Sequence, residues 1–367
     1  MARDDLVLIA GAGPVGLTAA VELTRRGIPV RIVDRGDGPT PSDQSRALAI
    51  LPQTLRIFES SGLANDLESA GTPIRGAAIA IGGRSAFSFD FGSRRSDDRF
   101  ILSLPQGRTE RLLIDWLAAR KIQVAWNTSL EALGETHRPV ARLSGGETVE
   151  AKAILGCDGS HSTVRAELGV PWHGEGYPGV FALADVTFDR PIDPHRLVMA
   201  IGSSADASHA LVPMDARSGR LIGFHDSPER LIAAVPGIES VTWQSTFHVA
   251  FRHAERMSRG RVFLAGDAAH IHSPVGGRGM NLGIWDAATF AYLFAEGRET
   301  EYEMKRLPAI RTVIEQTRAM TELLAKPPSL AGVALRTVMP LAVRLPVVRR
   351  KLADRLLALD LPQLEWL

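Results

Sequence analysis

Apolar residues at the start of the chain come in short, bounded runs. Leu6 to Ala10 (LVLIA) is closed by Gly11, which predicts a buried strand. The next stretch, PVGLTAAVELTRRG, carries apolar side chains at helical spacing and stops at Gly27. PVRIVDR then reads as a second strand, with Asp34 at its end. Strand, helix and strand within roughly 35 residues make a βαβ unit. Helical spacing recurs over Arg46–Gly62 and Thr109–Arg120, and AKAILGCDG reads as another strand that ends in a turn.

Between Phe181 and Phe251 the texture changes. GVFALADVTF, HRLVMAIG, HALVPM and SGRLIGFHD are strand-like and are joined by Pro, Gly and Asp turns. This predicts an antiparallel sheet inserted into an α/β fold. The stretch GRVFLAGDAAHIHSPVGGRGMN, Gly260 to Asn281, opens as a strand, meets Asp267 and ends in a glycine-rich loop. Beyond Asn281 the pattern is mainly helical, and there are no internal repeats.

Composition narrows the class. With 367 residues, 45% hydrophobic and 23% charged, the chain reads as an ordinary globular protein of about two domains. A net charge of +1 gives no electrostatic case for nucleic acid. The single cysteine, Cys157, allows neither a disulfide within the chain nor a cysteine-based metal site. The N-terminal apolar run leads straight into a glycine turn, unlike a signal peptide. GVALRTVMPLAVRLPVV carries Arg336, Pro340, Arg344 and Pro346, which argues against a membrane span. A soluble, cytoplasmic protein is expected.

Three carboxylate turns carry the candidate chemistry. GAGPVG places Gly11, Gly13 and Gly16 in a G-x-G-x-x-G pattern between strand and helix. Gly11 permits the tight turn, Gly13 lets backbone approach a pyrophosphate, and Gly16 lets helix and strand pack closely. The helix N-terminus, which opens with Pro14, offers N–H groups from Val15 onward to an anion, and Asp34 can accept ribose hydroxyls. These features leave NAD and FAD open. Asp158 in CDGSHSTVR and Asp267 in the third turn point to a long cofactor that crosses several strand ends. A buried Asp267 is costly unless something pairs with it, and a glycine-rich loop is costly unless backbone must come close to a ligand.

GAGPVG, CDGSHSTVR and GDAAHIHSPVGGRGMN, in that order, resemble the FAD-dependent aromatic hydroxylases. These are the single-component flavin monooxygenases related to para-hydroxybenzoate hydroxylase and to the polyketide and phenol hydroxylases. The resemblance extends from Leu6 to about Ala288. It implies a Rossmann-like FAD-binding fold over residues 1–72, 99–170 and 252–290. It also implies a substrate-binding sheet domain over 73–98 and 171–251, and a C-terminal helical region over 291–367. In such proteins the Asp after the strand, here Gly266-Asp267, binds a ribityl hydroxyl. The loop from Pro274 through Gly277, Gly279, Met280 and Asn281 wraps the flavin ring. Asp34 and Arg35 would hold the AMP half. Arg46 would lie near the pyrophosphate and Gln106 on the flavin side, and Leu130 would meet the adenine side through its backbone. Asp158 and Arg165 would serve the second motif.

Each position has a plainer reading. Arg46 and Arg165 could be surface ion pairs. His270 and His272 look like a metal pair, but a site needs three or four ligands, so no metal is expected and His270 reads as a packed or capping residue. Arg278 stands where most relatives carry glutamine; either it sits with Pro274 near the flavin, or it faces solvent or a nearby acid. Only Tyr177, Tyr292 and Tyr302 are present, so a phenol-activating tyrosine pair is not evident. The implied reaction uses NADPH or NADH and O2 to hydroxylate an aromatic molecule through a C4a-hydroperoxyflavin. Phe181, Leu183, Phe224 and Pro274 are candidate pocket residues. Alternatives are Baeyer–Villiger oxidation or epoxidation on the same fold, or a non-catalytic binding protein. A monomer or homodimer is expected, with no nucleic-acid or membrane partner.

Overall fold

A computed structural model of the chain describes residues 6–41, 47–82, 84–92, 99–202, 208–325, 338–362, 364 and 366. Val7–Ala10 is buried throughout and lies inside a six-stranded sheet. The strand order is Ser258–Arg259, Val262–Leu264, Ala153–Gly156, Val7–Ala10, Val30–Val33, Val124–Ala125. All neighbours are parallel except the first pair. Continuous apolar runs suit such strands, which are covered on both faces. Parallel pairing also brings the ends of four strands to one edge. Gly11 N–H donates to Val33 O, Cys157 N–H to Ala10 O, and Ala265 N–H to Gly156 O. Turns far apart in sequence thereby lie side by side.

The helix Pro14–Arg25 starts with Pro at its first position and packs against the apolar helix Gly279–Ala295. Over the expected helix from Arg46 to Gly62, the described residues form a short strand, Ala49–Ile50, and then a helix, Pro52–Glu59. Pro52 sets the later start, since it disfavours helix in the residue before it. Arg46 itself lies outside the described residues. The helix Gln106–Ala118 begins three residues ahead of the expected Thr109.

The inserted sheet has eight strands: His270–Ile271, Ile238–Ala254, Trp172–Phe188, Ser218–Phe224, His209–Pro213, Arg196–Ile201, Gly76–Ile81 and Arg84–Asp90. It is mixed rather than antiparallel, because Arg196–Ile201 pairs parallel with Gly76–Ile81. Two strands of 17 residues, Trp172–Phe188 and Ile238–Ala254, pair along almost their whole length. Side chains alternate between two faces. Ala182, Ala184, Val186 and Leu221 pack on Leu231 of the helix Pro228–Ala233. The register Phe181↔Phe224, Leu183↔Ile222 and Asp185↔Arg220 puts the other set together on the opposite face. The C-terminal part is helical over Tyr302–Ala325, Met339–Ala342 and Pro346–Leu356. Among the described residues, no helix is long and apolar enough to cross a membrane.

Candidate active site

The first glycine turn divides its labour. Gly11 has φ +109°, and a Cβ there would lie 2.2 Å from the Cys157 carbonyl oxygen. A Cβ on Gly16 would lie 1.9 Å from Gly11 O. Gly13 differs: no heavy atom lies within 4 Å of a Cβ built there. Internal packing therefore accounts for two of the glycines, and Gly13 leaves an open cradle at the start of a helix that lines the main cavity. Asp34 closes the turn by accepting the N–H groups of Ala12 (2.6 Å) and Gly36 (2.7 Å), while Arg35 is exposed.

The third turn corrects one expectation. Asp267 is not buried; it is exposed among buried neighbours and lines the cavity. The buried carboxylate is Asp286, on the helix Gly279–Ala295, which no sequence motif marks. Its Oδ2 accepts from His270 Nε2 (2.6 Å) and Gly266 N (3.1 Å), and its Oδ1 accepts from Arg306 Nε (2.7 Å). Burial pushes this carboxyl up, but Arg306 and His270 outweigh burial and hold it below the ordinary carboxylate range. The turn that presents Asp267 is thus pinned from behind, and His270 is a structural donor.

His272 is a separate case. Its Nδ1–H donates to Ser273 O at 2.9 Å. Burial, with His270 and Arg278 nearby, lowers its pKa to about 4 against the opposing pull of Ser273 O, so the imidazole that lines the cavity is neutral.

The glycine-rich loop is held by Asn281, which is fully buried. Its Oδ1 accepts from Leu51 N (2.9 Å) and Thr54 Oγ1 (2.7 Å), and its Nδ2 donates to Ala49 O and Gly277 O (both 2.8 Å). The amide is spent on the protein, so Asn281 shapes the loop and does not reach a ligand through its side chain. Gly277 has φ +63° and donates its N–H to Pro274 O (2.9 Å), a turn that favours glycine.

Arg278 points away from the loop's cavity side. It is 3% exposed, bonds Gln316 Oε1, donates to Arg355 O at 2.8 Å, and has Asp360 at 3.6 Å. Of its two expected environments, the structure gives pairing with C-terminal groups; the guanidinium is absent from the cavity wall. The helix begins at Gly279, so Arg278 leaves the loop at its helix boundary.

The second motif is also used internally. Asp158 accepts from Ser162 Oγ (2.5 Å) and Val164 N (3.1 Å), capping the helix Thr163–Glu167. Arg165 donates to Ala268 O and Ser160 O (both 2.9 Å) and lies 3.9 Å over the Trp172 ring, so it ties the second turn to the third. Gln106 donates to Glu110 Oε1 (2.8 Å) and lines the cavity. Leu130 is buried in a three-stranded sheet with Val140–Leu143 and Thr148–Glu150, away from the cavity wall.

These elements enclose one cavity of about 640 Å³. It runs from Gly13, Pro14 and Val15 past Asp267, Pro274, Gly277, Gly279 and Met280. It ends against the apolar sheet face of Phe181, Leu183, Met199, Ile222, Phe224 and Phe247. None of the three tyrosines lines it. The open cradle at Gly13 and the outward carboxylate of Asp267 fit an FAD. Fold and site together define a dinucleotide-dependent enzyme that brings a cofactor to an apolar ligand chamber.

Comparison with known proteins makes this particular. Residues 5–230 and 224–317 match the FAD binding domain family, and the chain belongs to it. It is 34% identical to 6-methylpretetramide 4-monooxygenase of Streptomyces rimosus, over 96% of this chain and 68% of that protein. Its fold matches OxyS anhydrotetracycline hydroxylase from Streptomyces rimosus with a TM-score of 0.77 at 30% identity, covering 98% of this chain and 77% of that one. The p-nitrophenol 4-monooxygenase PnpA from Pseudomonas putida DLL-E4 matches in fold with a TM-score of 0.84 at 22% identity, over 96% and 98% of the two chains. The protein is an FAD-dependent monooxygenase of the aromatic hydroxylase type.

Proposed function

We propose that this enzyme uses NADPH or NADH and O2 to add one oxygen atom to a fused-ring phenolic or polyketide-like molecule, releasing the second oxygen as water. The continuous cavity carries this reading: it joins the Gly13 cradle and Asp267 to a broad apolar sheet face. When bound, FAD supplies hydride acceptance from the nicotinamide and activation of O2.

The chain's own residues bind, orient and exclude water. Gly13 and the N–H groups at the start of Pro14–Arg25 receive the pyrophosphate, and Asp34 with Arg35 takes the AMP half. Asp267 accepts a ribityl hydroxyl, and backbone N–H groups of the loop from Pro274 to Met280 face the flavin ring. Phe181, Leu183, Phe224 and Phe247 hold the substrate ring and keep water out of the reacting volume. In this reading residues 73–98 and 171–251 form the substrate domain, and 1–72, 99–170 and 252–290 form the FAD domain.

A panel of single-ring and fused-ring phenols tests the proposal. Fused-ring compounds should stimulate NAD(P)H oxidation by the yellow, FAD-loaded enzyme and yield products heavier by one oxygen. Flavin-loaded protein that oxidises NAD(P)H to NAD(P)+ while reducing O2 only to hydrogen peroxide with every fused-ring compound, and hydroxylates single-ring phenols, would refute the substrate class. An ester or lactone product would move the reaction to ring expansion.

A further inference from the structure

The C-terminal segment from Val338 onward leaves one apolar face open. Val338 O accepts the N–H groups of Leu341 (3.1 Å) and Ala342 (2.9 Å), and the turns run on through Met339–Ala342 to the helix Pro346–Leu356. One side of the segment is held by the core: Val343, Ala353 and Leu357 are buried. The other side carries Val338, Leu341, Leu345 and Val347, which are 58%, 62%, 59% and 66% exposed. Val338, Leu341 and Leu345 recur at spacings of three and four, which sets them on one helical face. Elsewhere among the described residues, large apolar side chains are exposed singly, at Val241 and Met304. Four exposed cations, Arg344, Arg349, Arg350 and Lys351, stand in the same segment, and residues 338–353 contain no acid. Arg350 has Asp354 at 3.8 Å, whereas Arg344 and Arg349 have no hydrogen-bond or ion-pair partner among the described residues. Both line an open hollow of about 420 Å³ against the edge strand Arg84–Asp90. The acid in its wall, Asp90, is already bonded to Arg196 at 2.9 Å.

We propose that this face docks the protein on an anionic lipid surface, with the four aliphatic side chains entering the headgroup boundary and Arg344 and Arg349 receiving lipid phosphates. An exposed apolar patch among cations suits a segment that lies in the plane of a bilayer surface, which needs no spanning helix. Charge decides against the other natural occupant, a second copy of this chain. A two-fold contact sets one patch against itself, so four cations would face four cations. A neutral lipid surface would leave the cations unpaired, whereas an anionic one supplies phosphates to them. Apolar contact and charge together give a reversible attachment that neither gives alone. None of the eight residues lines the main cavity, so docking and cofactor binding are separable. Bilayers concentrate apolar ring compounds, and the docked enzyme meets such molecules at a raised local concentration.

The test is co-sedimentation of the full, FAD-loaded chain with vesicles. One set is phosphatidylglycerol and phosphatidylcholine in equal parts, and the other is phosphatidylcholine alone. Wild-type protein should sediment with the anionic set and stay in solution with the neutral one. Sodium chloride at about 1 M, where the screening length is about 3 Å, should release most of it. Two double variants separate the two contributions. Arg344→Gln with Arg349→Gln should weaken binding roughly twenty- to thirtyfold, since each cation near an anionic surface is worth about fivefold. Leu341→Ser with Leu345→Ser should weaken it roughly tenfold or more. All four positions are at the surface, so FAD content and melting temperature without vesicles should match the wild type. If wild-type protein ignores the anionic vesicles, or if both double variants bind them as wild type does, the proposal is overturned. It is equally overturned if the wild type forms dimers in sedimentation equilibrium without lipid and Leu341→Ser with Leu345→Ser makes it monomeric, because the face is then an interface between copies.

Discussion

Asp286 receives the imidazole Nε2–H of His270 at 2.6 Å and, on the same oxygen, the backbone N–H of Gly266 at 3.1 Å. The carboxylate that governs the Asp267 turn is therefore the buried one behind it. Asp286→Ala strands His270 and Arg306 in the core, which should cost about 3–5 kcal/mol of stability. Denaturant unfolding and the flavin-to-protein ratio check this. Wild-type stability in the variant would mean that the brace contributes nothing.

Gly13 and Gly11 should respond in opposite ways to the same methyl group. Gly13→Ala meets no protein atom and sits at φ −73°, so the melting temperature of the FAD-free protein should not move, while FAD affinity drops roughly tenfold or more through lost backbone approach. Gly11→Ala places Cβ against Cys157 O at φ +109° and should cost several kcal/mol, about 1–3 of it from backbone strain alone. Paired thermal melts and FAD titrations separate the two roles.

Asp267→Ala should leave the fold intact, because the residue is exposed to the cavity. Loss of a charge-assisted hydrogen bond of about 1.5–3 kcal/mol weakens FAD binding roughly ten- to hundredfold. Full flavin retention after gel filtration would remove Asp267 from the cofactor site.

Arg278→Gln should cost about 1.5–3 kcal/mol of stability by uncoupling the helix start from Gln316 and the Arg355 carbonyl. The flavin reduction potential should stay at its wild-type value, since the guanidinium points to the C-terminal helices. A clear fall in potential, measured by dye-coupled reduction, would place its charge at the flavin after all.

His272 sets an acid limit. Its folded pKa of about 4 lies below the ordinary 6.5, so the unfolded chain binds the extra proton first. Stability from this group is full above pH 6.5 and is lost as pH falls toward 4, by at most on the order of 3 kcal/mol. His272→Gln should flatten the stability profile across that window. An unchanged slope would show that another group titrates there.

The βαβ unit was legible because strand, glycine turn and helix are local patterns with few alternatives. The inserted sheet was legible as an antiparallel sheet, but its one parallel pairing was not. The parallel pairing of Arg196–Ile201 with Gly76–Ile81 joins segments more than 100 residues apart, and no local period encodes it. Asp286 was missed because its partners sit 16 and 20 residues away, although a lone acid inside the apolar helix run GIWDAATF was a usable signal. Arg278 shows the converse. Its neighbours in sequence line the cavity, but its own partners lie 38 and 77 residues further on. Motif position fixes where a backbone passes and leaves open where a long side chain points.

The paired strands Trp172–Phe188 and Ile238–Ala254 span the chamber from the flank of the cofactor loop outward. On the chamber face, usable positions recur every second residue, about 6.6 Å apart. The wall therefore works as a graduated scale, with Phe181 and Leu183 as successive marks. In the proposed reading, adding bulk at one mark displaces a bound ring by a set increment relative to Asp267 and the loop, and so changes which carbon is presented for oxygenation. That reading makes regiochemistry tunable along a single strand, with the proposed cofactor contacts left in place.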